Sequence, residues 1–109
     1  MAKIKKKAEK LAETIADSDE FIEMKEAEKK IDNDQKAAEL VEKIENLQKK
    51  IDFDRTNEEL KKKMASLQRK AWDNRKIKDF FQKQNEYSQL MKKVNDTLTD
   101  ALKSENNDQ

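Results

Sequence analysis

Apolar residues recur along the chain at steps of three and four, and short polar runs break the pattern at four places. Ile4, Ala8, Leu11 and Ile15 make the first stripe, which falls on one face of a helix. Ser18 then offers an N-cap, with Asp19 and Glu20 in the electropositive first turn that follows. Phe21, Met24 and Ile31, with Ala27 nearby, define a short second helix that stops at Asp32-Asn33-Asp34. Asp34 is placed to cap a third helix carrying Ala37, Leu40, Ile44, Leu47 and Ile51, with Val41 beside the stripe, a seam like that of a coiled coil. After a loop over residues 52–57, Thr56 and Glu59 have capping-box spacing, and Leu60, Met64, Leu67 and Ala71 mark a fourth helix. Asn74 opens the last element. Its stripe runs through Ile77, Phe80, Gln84, Tyr87, Met91, Val94, Leu98 and Ala101 without a slip, widened by Phe81, Leu90 and Leu102.

The pattern therefore predicts an all-α protein: an elongated antiparallel bundle of about four to five helices ending in a long one. Composition agrees. Gly and Pro are absent, Val occurs only at positions 41 and 94, and Lys, Glu, Ala, Leu and Gln, strong helix formers, dominate. With 45% of residues charged and 34% hydrophobic the chain sits near the disordered range, and the regular spacing decides for folded helices. The 109 residues suffice for one domain, expected over 1–103, with a flexible polar tail at 104–109.

Chemistry is narrowed by what is missing. With no Cys there is neither disulfide, thiol nucleophile nor thiolate metal site, and with no His there is no imidazole base or ligand. With no Gly there is no phosphate-cradling loop. Asp52-Phe53-Asp54 resembles the start of an EF-hand loop, but Asn57 stands where Gly is needed and Lys63 where the bidentate Glu belongs. The expectation is a protein that is not an enzyme and has no cofactor or metal. The basic start is followed by no uninterrupted apolar run, and no stretch approaches a membrane span, so a cytoplasmic protein without membrane contact is expected.

Charge is segregated although the net value is +1. Residues 13–34 hold nine carboxylates against three lysines, while Lys61, Lys62, Lys63, Arg69, Lys70, Arg75, Lys76 and Lys78 face a single Asp within 61–78. This segment, with Trp72 available for stacking, is the candidate nucleic-acid contact. The simpler alternative is a solvated face paired with the acidic segment, within one chain or across a dimer. Asp34 and Asn74, forty residues apart, open similar stretches, most simply because both start helices.

The last helix carries the strongest signal. From Arg75 to Leu102 it would be about 42 Å long, against a radius of gyration of about 13 Å for a compact chain of this size. A stripe that long calls for a partner helix. Ile77, Phe80, Phe81, Gln84, Tyr87, Met91 and Val94 are the candidate oligomer interface, Gln84 being a polar residue of the kind that fixes register in a seam.

The segments Lys10-Leu-Ala-Glu-Thr-Ile-Ala-Asp-Ser18-Asp-Glu-Phe21, Lys25-Glu-Ala27-Glu, Glu39-Leu-Val-Glu-Lys-Ile-Glu-Asn-Leu-Gln48 and Asn85-Glu-Tyr-Ser-Gln-Leu-Met-Lys-Lys-Val-Asn95, with Asp34, Asn74 and Phe80, occur in a familiar order. Over roughly residues 3 to 103 the chain resembles the YlbF/YmcA family of small helical bacterial proteins. The resemblance implies a regulatory protein that works in a complex with other proteins, influencing competence, sporulation, biofilm formation and mRNA maturation. It also implies Pro where this chain has Gln35 and Arg75, and in some relatives an iron–sulfur cluster on Cys, which this chain lacks. A homo-oligomeric adaptor is the leading expectation, and a nucleic-acid-binding module the second.

Overall fold

The computed structural model describes residues 2–107. They form five helices: α1 (Ala2–Ala16), α2 (Asp19–Asp32), α3 (Gln35–Phe53), α4 (Glu58–Asp73) and α5 (Arg75–Asn107). No strand occurs among the described residues. The long final helix expected from the sequence is α5, 33 residues, or about 50 Å at 1.5 Å per residue. It continues through 104–107, which the sequence suggested as tail. Nothing there breaks a helix, since neither Gly nor Pro is present; residues 108 and 109 lie outside the described residues.

Each break in the hydrophobic pattern is a capped junction. Between α1 and α2 one hydroxyl serves both helices: Ser18 donates to the Ile15 carbonyl at 2.6 Å and accepts the Phe21 N–H at 3.2 Å. Asp34 accepts the Ala37 N–H at 3.2 Å to start α3. Asn74 accepts the Lys76 and Ile77 N–H groups at 3.1 and 3.2 Å to start α5. The α4 cap differs from the capping box suggested by Thr56 and Glu59. Asn57 is the cap, accepting from the Glu59 and Leu60 N–H groups, while the Thr56 hydroxyl donates to Asp54. An Asn adjoining a Thr competes for the same role and caps at least as well.

Where the sequence suggested one domain, the helices gather into two compact units, to both of which α2 and α5 contribute. One unit holds the chain up to Met24 and from Lys83 onward; the other holds Lys25–Gln82. The second unit contains the core. Ile31, Ala37, Ala71 and Ile77 are buried together, with Leu40, Val41, Ile44, Phe80 and Phe81 packed against them. Ile31 and Ala37 sit three residues either side of the Asp34 cap, and Ala71 and Ile77 three either side of the Asn74 cap. The two helix junctions thus pack against each other, and Lys76 ties them with a 3.0 Å ion pair to Asp34.

Candidate functional site

The candidate interface residues divide between the two units. Ile77 is wholly buried, and Phe80 and Phe81 are half-buried on the same core. Phe81 also meets Trp72 edge-on, ring centroids 6.5 Å apart. These three are covered by α2, α3 and α4 of their own chain, so they offer little to a partner. Gln84, expected in the seam, is exposed. In the other unit Tyr87 packs on Phe21 with centroids 5.7 Å apart, and Lys83 bridges to Glu23 at 3.5 Å. Met91 and Val94 are half-buried.

Beyond Val94 the stripe is uncovered. Leu98 and Leu102 are 50% and 67% exposed. In the same unit α1 has no buried residue, leaving Ile4 71% and Leu11 37% exposed. Leu11, Val94 and Leu98, with Lys93 and Thr97, line an open apolar groove of about 260 Å³. This α1–α5 face carries the apolar stripe of an amphipathic helix pair and leaves part of it uncovered. The stripe alone could not separate covered from uncovered turns, because the periodicity is the same in both.

The basic candidates do not form one patch. On α4, Lys62 and Arg69 share one helix face and Lys63 and Lys70 another, with Lys61 apart. Lys61 pairs with Glu58 at 3.8 Å and Lys76 with Asp34. Lys78 lies over the half-exposed Trp72 ring, 5.5 Å from its centroid, so the ring available for stacking already holds a cation. Arg75 and Lys76 share a cavity with Lys30 and Asp79.

A second groove, about 450 Å³, runs between α3 and α4. Lys43, Asn46, Leu47 and Lys50 line it from α3, and Lys63, Ser66 and Leu67 from α4. Sequence reasoning missed it, although a signal exists. Lys43-Ile-Glu-Asn-Leu-Gln-Lys-Lys50 and Lys63-Met-Ala-Ser-Leu-Gln-Arg-Lys70 repeat one pattern at a distance of twenty residues. Each pattern puts Lys, a small amide or hydroxyl side chain, Leu and Lys on one helix face.

Among the described residues there is no cluster of three or more potential metal ligands. No helix of the described residues is long and apolar enough to cross a membrane.

The described residues thus form an all-helical protein with an open apolar groove between α1 and the later turns of α5. The chain belongs to the YlbF/YmcA family, described as control of competence regulator ComK, whose profile matches residues 4–103. A comparison with curated proteins found no match. Among solved structures it is similar to Bacillus subtilis RicA crystallised in complex with RicF, at 21% identity and a TM-score of 0.73. That alignment covers 94% of this chain and 96% of RicA. At that identity the likeness establishes a shared fold.

Proposed function

We propose that the protein is a non-enzymatic, cytoplasmic adaptor that docks a helical partner, a copy of itself or a relative, on the α1–α5 face. The observation carrying this reading is that α1 buries no residue while Ile4 and Leu11, with Leu98 and Leu102 on α5, remain open. Fully burying a large aliphatic side chain contributes about 1.5–3 kcal/mol; these four are already partly covered, so each adds a share of that, and together they favour association. That RicA, of the same fold, assembles with RicF supports a protein as partner. The family description, control of competence regulator ComK, supports a regulatory setting.

The interface proposed from the sequence is retained at Met91 and Val94 and moves toward the end of α5. Light scattering on Leu11→Asp with Leu98→Asp tests it. The double variant should weaken association at least about a hundred-fold, leaving the 12.9 kDa single chain with helical content unchanged. An oligomer of undiminished mass would reject the face.

A further inference from the structure

The α3–α4 groove belongs to the Lys25–Gln82 unit, whereas the α1–α5 face belongs to the other, and its chemistry differs. Leu47 and Leu67 form an apolar floor; Lys43, Lys50 and Lys63 bring three ammonium groups and no carboxylate lines it. None of these lysines has an ion-pair partner among the described residues. Such a groove fits an amphipathic helix with one apolar side chain between acidic ones. No aromatic ring lines it, so bases would find nothing to stack on.

The chain itself carries the complementary helix. On α2, Asp19, Ile22, Glu23 and Glu26 stand at i, i+3, i+4 and i+7, so they share one face. The three carboxylate residues are exposed, and Ile22 is 42% exposed between them. The spacing matches that of Lys43, Asn46, Leu47 and Lys50 on the groove wall. We propose that the α3–α4 groove receives the acidic α2 face of a second copy of this chain. The contact joins unlike surfaces, so it closes when two copies exchange α2 faces and otherwise propagates. It is distinct from the α1–α5 face: its drive is charge pairing over one apolar anchor, so salt weakens it, whereas an apolar contact is not weakened that way.

Two charge-reversed chains test this. One carries Lys43→Glu, Lys50→Glu and Lys63→Glu; the other carries Asp19→Lys and Glu26→Lys, leaving Glu23 to its Lys83 bridge. Each reversed chain opposes its own kind at this contact, while the mixture restores opposite charges at both surfaces. With one chain labelled and followed by fluorescence anisotropy at low salt, unlike chains should bind at least about ten-fold more tightly than like chains, because like-charge juxtaposition costs several kcal/mol. The preference should fade at high salt, with circular dichroism confirming helical content in both. Equal binding of like and unlike chains, or a preference indifferent to salt, would overturn the proposal. So would a groove that binds an RNA oligomer, lost on the triple reversal, while the chains ignore each other. Carried in the Leu11→Asp, Leu98→Asp background, the unlike preference should persist, so failure of one contact is told apart from failure of the other.

Discussion

Asp34 performs two tasks with one carboxylate. Oδ1 accepts the Ala37 N–H that starts α3, and Oδ2 takes the Lys76 ammonium at 3.0 Å. The bond from Lys76 and then the Ala37 N–H hold this carboxyl below its ordinary value. A carboxylate depressed in the folded state contributes stability above its unfolded pKa and loses it as pH falls through the folded one. Thermal melts should therefore show a stability component that drops away in acid, below the usual carboxylate range. Asp34→Asn keeps a good cap but not the charge, so it should flatten this acid dependence while leaving the acid-side melting temperature nearly unchanged. Asp34→Ala removes the cap as well and should lower the melting temperature across the pH range. If Asn and Ala gave the same pH profile and the same loss, the division of labour would be wrong.

The elements were legible because each helix after the first announces itself twice, by a stripe at steps of three and four and by an oxygen-bearing side chain at its start. Ser18, Asp34 and Asn74 all cap as their positions suggest. At residues 56–57 two candidates adjoin, and spacing favoured Thr56 where the backbone chose Asn57. The candidate site was less legible. Ile77 and Leu98 occupy equivalent places on one unbroken stripe, yet Ile77 is fully buried and Leu98 half open. What separates them is the presence of α2, α3 and α4 around the first turns of α5, a tertiary fact the stripe does not encode. Charge density is equally silent on placement, because Lys61 to Lys78 spreads around its helices while the groove draws its lysines from two segments. The difference is measurable. Ile77→Ala should destabilise by about 2–5 kcal/mol through the cavity left behind. Phe53→Ser, at a position 96% exposed beside the α3–α4 loop, should stay within about 0.5 kcal/mol. A comparable loss in both, by urea denaturation, would mean that Phe53 is covered in solution.

Across the whole molecule, burial is distributed unevenly. Every residue of the fully buried set, from Ala27 to Ile77, belongs to the unit spanning Lys25–Gln82. The unit holding α1 relies on half-buried contacts such as Phe21 on Tyr87 and on the Lys83–Glu23 pair. Regions with few buried apolar contacts open at low free-energy cost. An isolated helix the length of α1, 15 residues, is marginal in water. In native-state hydrogen exchange on dilute protein, amides of α1 should therefore exchange first, and those near Ala37, Met64 and Ala71 only near global unfolding. A partner seated on the α1–α5 face covers the apolar groups that α1 leaves open, so it must raise α1 protection selectively, by RT ln(1 + [L]/Kd) in the simple linkage case. Raising protein concentration, or adding a docking partner, should slow exchange in α1 and the last turns of α5 and leave the buried unit unchanged. Uniform slowing along the chain would place the partner elsewhere. An α1 already as protected as α3 in dilute solution would show that the face needs no second molecule.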